Sequence, residues 1–337
     1  MPDRTTVTIA DILAAREVIA GRVHRTPLLS SAAAAAAIER STGVAIADGR
    51  LYVKGEHLQK TGSFKARGMT ARVAGLTPPE CERGIITVSA GNAAQGYAFA
   101  GAAFGVPVTV VMPAAANPAK AAAAAGYGAR VILDGETMSE TFATLYRIRD
   151  DEGLTFCHPF DDAAVVAGHG SAGLELLEDL PDVDVVVVGI GGGGLISGMA
   201  TAIRETRPGV RVYGVEPELS DAMSVALAAG KPVPIQPTSI ADGLNAPFAG
   251  EITLDLVRRY VDAIVRIDDA TILGGMQFAL ARMKQVVEPA GAAALAATLF
   301  GRVPIRAGER VAVVLSGGNV DPGRIGELIA RAAPLPG

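Results

Sequence analysis

Lys65 carries an amine that could attack an aldehyde. It follows Phe64 in a polar turn, and a helical pattern over Lys65–Ala74 begins there; the turn reads Lys60-Thr61-Gly62-Ser63-Phe64-Lys65. Apolar neighbours favour partial burial, which lowers the pKa of an amine toward the range in which it is nucleophilic. Lys54 and Lys60 are competing candidates, and Lys60 is expected to be solvated within the turn.

Three further clusters of small and polar residues each follow a β-branched apolar run. They read Ser89-Ala90-Gly91-Asn92, Gly191-Gly192-Gly193-Gly194 and Ser316-Gly317-Gly318-Asn319. The carboxyl ends of strands in an open parallel sheet are where ligands bind. The three clusters are therefore predicted to meet at one edge of a sheet.

The run Gly191–Gly194 lies between a Val-rich strand and a helical pattern. Without Cβ atoms, its backbone N–H groups can converge on an anion at a helix N-terminus. No Gly-Lys-Ser/Thr follows it, which excludes a P-loop, and Gly-x-Gly-x-x-Gly starting at Gly189 is a weak dinucleotide signal. The alternative interpretation is a tight strand–helix turn.

The other two clusters offer hydroxyl and amide groups. Ser89 and Asn92 could hold a carboxylate or a cofactor hydroxyl, or could simply cap a helix. The Ser316 hydroxyl could hydrogen-bond a heteroaromatic nitrogen. With the amine of Lys65 and the glycine run, these groups indicate a phosphorylated aldehyde cofactor held as a Schiff base.

The composition narrows the class of protein. A net charge of −5 with mixed signs predicts no nucleic-acid or membrane partner. The two cysteines and the absence of a signal-peptide pattern at the start predict a cytoplasmic protein with reduced thiols. The four histidines are not spaced as zinc ligands, and no Gly-x-Ser-x-Gly elbow is present.

The chain alternates strand and helix patterns, which predicts an α/β fold with parallel sheets in three αβα layers. A compact βαβαβα unit is predicted as a small substrate-side domain over residues 83–155. The larger, cofactor-binding domain is predicted from residues 1–82 and 156–337. Among the helices, one is predicted to begin at Asn117, another to span Ala172–Asp179 and a third to span Ala270–Lys284.

In its ordered motifs, the chain resembles the fold-type II pyridoxal-phosphate enzymes, and most closely their threonine/serine dehydratase branch. The likeness runs from Arg25 to Asn319; the matching segments are residues 54–65, 89–92, 158–162, 191–194 and 316–319. It implies the tryptophan synthase beta-like fold with two open parallel-sheet lobes, bound pyridoxal 5'-phosphate, and a homodimer or higher homo-oligomer.

The resemblance also implies a role for each matching residue. Lys65 would hold the cofactor and act as the base at Cα, Phe64 would flank the ring, and the cradle Gly191, Gly192, Gly193 and Gly194 would hold the phosphate. Asn92 would bond the 3-hydroxyl, Ser316 would contact the ring nitrogen, and the backbone of Gly243 would lie near the ring. Ser89, Ala90, Gly91 and Asn92 would bind the substrate carboxylate. The implied reaction is β-elimination from L-threonine or L-serine, giving a 2-oxo acid and ammonia.

Several positions depart from the dehydratase pattern. Ala93 replaces a histidine, His169 replaces a more usual glutamine, and Ala222 replaces an acid that pairs with Glu216 around a cation in relatives, so metal binding stays open. Ala90 replaces the second serine of serine racemases, which predicts little racemisation. The chain ends soon after Asn319, so no C-terminal regulatory domain is expected.

Other functions remain open from the sequence. The same scaffold could act, as a lyase or racemase, on another hydroxy-amino acid such as 3-hydroxyaspartate. A nicotinamide-dependent oxidoreductase would use the glycine run and an acid about 20 residues on, which Glu216 satisfies loosely. A binding protein that kept the scaffold is a third interpretation, against which Lys65, Asn92 and Ser316 argue.

Overall fold

The structure is a computed structural model and describes residues 6–116 and 118–334. The predicted helix start at Asn117, the first five residues of the sequence and the last three lie outside the described part. Across what is described, no helix is long and apolar enough to span a bilayer.

The described strands and helices alternate along most of the chain. The strands are β1 Leu28–Ser31, β2 Leu51–Lys54, β3 Ile85–Val88, β4 Val108–Met112, β5 Arg130–Leu133, β6 Thr155–Phe156, β7 Val185–Gly189, β8 Arg211–Pro217, β9 Ala263–Ile267 and β10 Val311–Val314. The helices are α1 Ile9–Ile19, α2 Ala32–Thr42, α3 Lys65–Ala74, α4 Pro78–Arg83, α5 Asn92–Phe104, α6 Pro118–Gly126, α7 Met138–Glu152, α8 Ala163–Asp179, α9 Gly194–Thr206, α10 Ala222–Ala229, α11 Glu251–Tyr260, α12 Asp269–Phe278, α13 Pro289–Leu299 and α14 Ile325–Ala330.

The larger sheet has six strands in the order β1-β2-β10-β7-β8-β9. All neighbours are parallel except β1, which pairs antiparallel with β2. Strand β7 is Val-rich because both of its faces are covered. Val185 and Val187 join the core that includes α13, whereas Val186 and Val188 join the core that includes α9. This alternation gives the predicted three αβα layers.

The smaller sheet has four parallel strands in the order β5-β4-β3-β6 and is built from residues 85–156. Its presence beside the six-stranded sheet confirms the prediction of two parallel-sheet lobes. The residue limits assigned to the two domains stay a prediction.

Some elements differ from the predicted pattern. Helix α8 begins at Ala163, nine residues before the predicted start. The glycines in its first half do not interrupt the helix; they are positions where neighbouring helices pack closely against it. The helix predicted over Ala270–Lys284 ends as α-helix at Phe278, and a π-helical turn follows over Ala279–Met283. The elements that were not predicted are the strands β1, β6 and β9 and the helices α4, α11 and α14.

A buried ionic cluster lies beneath the junction of β2, α3 and α8. The Arg67 guanidinium donates from Nε to Glu56 Oε2 at 2.8 Å and from Nη1 to Glu175 Oε1 at 2.7 Å. Lys54 Nζ donates to Glu175 Oε2 at 2.6 Å and to the Thr26 carbonyl at 2.7 Å. Two positive and two negative charges are thus paired out of solvent, and they fix α3 against the sheet.

Replacing Arg67 by methionine is expected to lower the free energy of unfolding by about 3–5 kcal/mol, because Glu56 and Glu175 would stay buried without a counter-charge. Urea denaturation followed by circular dichroism measures the change. The matched control is Arg130→Met, which breaks an exposed ion pair with Glu152 and should have a much smaller effect. Equal losses in the two variants would contradict a structural role for the cluster.

Candidate active site

Lys65 is the first residue of α3 and lies beside the end of β10. The N–H of Phe64 donates to the Ser316 carbonyl at 3.1 Å, and Ser63 pairs with Gly317 in an isolated antiparallel bridge. Two segments that are about 250 residues apart in the chain are therefore joined through their backbones. The lysine and Ser316 were predicted as one site, and the fold brings them together.

The amine of Lys65 is held in an environment that disfavours its charge. Its Nζ donates to the Pro159 carbonyl at 2.8 Å and lies 5.2 Å from the centroid of the Phe64 ring. Burial lowers the pKa of Lys65 to about 8. Burial, and then the nearby charge of Lys65, lowers the pKa of His158 to about 4. Because its pKa is lowered, a larger fraction of the Lys65 amine is neutral near pH 7 than of an ordinary lysine amine.

The structure separates Lys65 from its two competitors. Lys54 is fully buried with its Nζ committed to Glu175 and Thr26 in the ionic cluster. The Nζ of Lys60 lies 5.6 Å from the ring centroid of Phe99. Neither amine has the placement of Lys65 between Phe64 and Pro159.

The glycine run connects β7 to α9 and starts the helix without a side-chain cap. Gly193 has φ +94°, which favours glycine, and the Thr253 hydroxyl donates to the Gly192 carbonyl at 2.7 Å. The Phe160 ring lies directly over Gly192: a Cβ there would be 2.4 Å from ring carbons. The first-turn N–H groups of α9 thus form a cradle that side chains would fill.

Gly243 lies next to the same loop. A Cβ on Gly191 would be 3.4 Å from the Gly243 carbonyl oxygen and 3.1 Å from Leu244 Cα. The chain around Gly243 is therefore packed against the glycine run, as the prediction of a shared site requires.

Asn92 starts α5, and the orientation of its amide follows from a chain of hydrogen bonds. Asn319 Nδ2 donates to the Thr61 carbonyl at 2.7 Å and to Asn92 Oδ1 at 2.9 Å. Because a carbonyl only accepts, Asn319 must present its NH₂ group, and Asn92 must turn its oxygen toward it. Asn92 Nδ2 then donates to Glu288 Oε1 at 2.6 Å and keeps a second hydrogen for another acceptor.

Glu288 was missed by sequence reasoning. It is buried at the start of α13, and a Cβ on Gly317 would be 2.1 Å from its Oε1. Burial, and then the charge of Asp242, raises the pKa of Glu288 to about 7. In the sequence, Glu288 is marked only as a carboxylate that precedes Pro289 at a helix start. That pattern is typical of many helix N-termini and does not indicate a functional residue.

The predicted substrate loop lies at the end of β3. Ser89 Oγ accepts from the Gly91 N–H at 3.1 Å, so in this structure the hydroxyl stabilises its own turn. Ala90 is half-buried and offers no ionisable group. Ala93 is buried in an apolar core with Met69.

Glu216 lies near the end of β8 and is hydrogen-bonded to the start of α10. Its carboxylate accepts from the Met223 N–H at 2.7 Å and from the Ser224 N–H and hydroxyl at 3.0 and 2.6 Å. Burial raises its pKa to about 7. No group of three or more His, Cys, Asp or Glu residues that could hold a metal ion occurs in residues 6–116 and 118–334. These hydrogen bonds also engage the Glu216 carboxylate that a nicotinamide-dependent oxidoreductase would use to bind the ribose of its dinucleotide.

Comparison with known proteins adds independent evidence. The family model described as pyridoxal-phosphate dependent enzyme matches residues 10–317. The chain belongs to this family. It is 42% identical to the L-threonine ammonia-lyase of Thermotoga maritima over 96% of this chain and 79% of that protein. It is 39% identical to the catabolic L-threonine dehydratase TdcB of Escherichia coli K12, covering 96% of each.

Solved structures show the same fold. A threonine deaminase from T.th. superposes with a TM-score of 0.83 at 40% identity, covering 93% of this chain and 99% of that one. Maize serine racemase superposes with a TM-score of 0.88 at 33% identity, covering 96% and 97%. The predicted family, fold and cofactor dependence are thereby confirmed.

The residues present suit pyridoxal phosphate. The uncapped N-terminus of α9 with its glycine cradle matches the charge and size of a phosphate group. The amine of Lys65, with its lowered pKa, matches an aldehyde. Pro159 and Phe160 connect the two groups, because the Pro159 carbonyl accepts from Lys65 and the Phe160 ring packs over Gly192.

Adding a methyl group at Gly192 is expected to weaken cofactor binding about tenfold or more, because the new Cβ would meet the Phe160 ring and displace one side of the cradle. Titration of cofactor-free Gly192→Ala by absorbance measures the dissociation constant. Gly209→Ala is the matched control, since a Cβ there meets no atom within 4 Å. An unchanged dissociation constant for Gly192→Ala would contradict the assignment of the cradle.

The attachment of cofactor to Lys65 should depend on pH in a definite direction. The neutral amine is the attacking form and grows as pH rises, so the attachment rate should increase through an apparent pKa of about 8. Stopped-flow absorbance after adding pyridoxal phosphate to cofactor-free protein measures this rate. A midpoint near the ordinary lysine value of 10.5 would contradict the lowered pKa.

Proposed function

We propose that the chain is a pyridoxal-phosphate dependent ammonia-lyase that converts L-threonine, L-serine or both to a 2-oxo acid and ammonia. The observation that carries the proposal is the amine of Lys65, held between Phe64 and Pro159, whose neighbour Phe160 packs over Gly192 of the glycine cradle. The two relatives that bear threonine in their names favour threonine as a substrate.

In this proposal each predicted residue has one task. Lys65 attaches the cofactor, and Phe64 flanks its ring. The phosphate is held by Gly191, Gly192, Gly193 and Gly194. Gly243 approaches the ring through its backbone. Asn92 donates its second amide hydrogen to the 3-hydroxyl, and Ser316 contacts the ring nitrogen. Ser89, Ala90, Gly91 and Asn92 form the substrate-carboxylate loop, for which backbone N–H groups at the start of α5 are the donors.

When bound, the cofactor supplies a conjugated ring that stabilises negative charge at the substrate Cα. Lys65 then moves the Cα proton with its Nζ, and its lowered pKa makes the amine a competent base near neutral pH. Ser316 would offer the ring nitrogen of the bound cofactor a neutral hydroxyl rather than a carboxylate. A neutral partner would favour β-elimination as the outcome.

A second candidate is racemisation, favoured by the close superposition on maize serine racemase. Racemisation needs an acid on the face of Cα opposite Lys65. Ala90 has no such group, so the proposal keeps elimination as the main reaction and 3-hydroxyaspartate as an alternative substrate.

The proposal extends to the organisation of the protein. Residues 1–82 and 156–337 would form the cofactor-binding domain and residues 83–155 the substrate-side domain, consistent with the two sheets. The protein would act in the cytoplasm as a homodimer or higher homo-oligomer. Size-exclusion chromatography with light scattering measures the oligomeric state.

Lys65→Ala is expected to abolish covalent attachment of cofactor and to lower 2-oxo acid release about a thousandfold or more, since the variant lacks both nucleophile and base. Borohydride reduction followed by peptide mass spectrometry locates the attachment. Lys60→Ala is the matched control and should retain both properties.

Substrate choice is tested with L-threonine, L-serine and 3-hydroxyaspartate, each scored for 2-oxo acid, ammonia and the D-isomer. Release of 2-oxo acid from threonine or serine with little D-isomer is expected. Wild-type protein that binds no pyridoxal phosphate would overturn the whole proposal, and appreciable D-serine from L-serine would overturn the exclusion of racemisation.

A further inference from the structure

His169 has no task in the reaction described above, yet it lies against the helix that carries Lys65. It is a fully buried residue of α8, at the point where α8 crosses the first turn of α3. The backbones approach closely there: a Cβ on Gly168 would be 2.8 Å from Gly68 Cα, and a Cβ on Gly68 would be 2.4 Å from His169 Cε1. The imidazole therefore occupies space that any larger residue at Gly68 would need.

The imidazole accepts a hydrogen bond from the first turn of α3. The Phe64 carbonyl accepts from the Arg67 N–H at 3.0 Å, which tightens the first turn. The Gly68 N–H points out of the helix and donates to His169 Nδ1 at 3.2 Å. A buried N–H requires an acceptor, and here the acceptor is a side chain from another helix.

The same bond determines the state of the ring. Because Nδ1 accepts, the proton of the neutral imidazole is on Nε2, which is buried without a hydrogen-bond partner among the described residues. Burial, and then the positive charges of Lys65 and Arg67, lowers the pKa of His169 well below its usual value. The ring also meets the Phe64 ring edge-on, with centroids 4.7 Å apart.

We propose that neutral His169 is a positioning residue for the Phe64–Lys65 turn, anchoring it through the Gly68 N–H on one side and the Phe64 ring on the other. The inference rests on the proposed role of Lys65 in holding the cofactor. Gly68 follows Lys65 by three positions, within the first turn of α3. Loss of the Nδ1 acceptor would leave the Gly68 N–H unpaired, so the first turn would rearrange and carry Lys65 with it.

Two substitutions separate the hydrogen bond from the packing. His169→Leu fills similar space without an acceptor, whereas His169→Asn places an amide oxygen near the position of Nδ1. With holoenzyme, we expect His169→Leu to raise the dissociation constant for pyridoxal phosphate about tenfold, to shift the pH dependence of the cofactor absorbance, and to speed hydrogen exchange in the peptide that spans residues 64–70. His169→Asn should restore most of all three properties.

Nitrogen-15 NMR of histidine-labelled holoenzyme tests the ring directly. The chain has four histidines, and His169→Asn assigns the relevant signals by their loss. We expect a neutral ring protonated on Nε2 that does not titrate between about pH 6 and 9. A ring protonated on Nδ1, or one that titrates in this range, would overturn the proposal.

Leu176→Ala is the control for a general loss of packing in α8, because Leu176 is buried in the same helix, two turns beyond His169, and packs in the core that includes α9. It should lower the thermal midpoint without changing exchange over residues 64–70. Two results would overturn the positioning role alone, provided that the wild-type protein deaminates its substrate. One is a His169→Leu variant with unchanged properties, and the other is an equal defect in the leucine and asparagine variants. A wild type that binds no cofactor would instead overturn the proposed function.

Discussion

The buried pairing of Arg67 with Glu56 and Glu175 is the interaction on which the position of the site depends. Arg67 lies two residues after Lys65, and its guanidinium is held by carboxylates from two other segments of the chain. Charges out of solvent are tolerated only while each has its partner, so this end of α3 has one permitted placement. Lys54 completes the balance. The amine of Lys65 is therefore held close to this cluster by the chain.

Close backbone approach is the second constraint, and it explains where glycine is needed. Three glycines leave room for a group from another segment where a side chain would otherwise lie. The Phe160 ring occupies this space at Gly192, and the Glu288 carboxylate occupies it at Gly317. The His169 ring occupies it at Gly68. Each glycine lets a group from another segment approach the candidate site. The small residues are therefore the means by which polar and aromatic groups of remote segments are brought within contact distance of the site.

Lys65, Asn92, the glycine cradle and Ser316 could be named as candidates because each lies in a local pattern of strand, turn and helix that a short window of sequence reveals. Glu288 and His169 could not, since their significance comes from partners elsewhere. Asn92 and Glu288 are 196 residues apart, and Gly68 and His169 are 101 apart. The start of α8 was missed for a related reason, because glycines that permit helix packing resemble helix breaks until the packed neighbour is known.

By itself, the sequence determined the alternation of elements, the αβα layers, and the residue types available at the strand ends, because periodicity and turn chemistry act over about ten residues. Only the tertiary structure gave the lysines different environments. Lys54 was drawn into an ion cluster, whereas Lys65 was left beside Phe64 with its pKa lowered to about 8. The tertiary structure also determined which way the Asn92 amide is oriented and which nitrogen of His169 carries the proton. The physical reason is that burial, charge pairing and hydrogen-bond direction depend on atoms that only folding brings together.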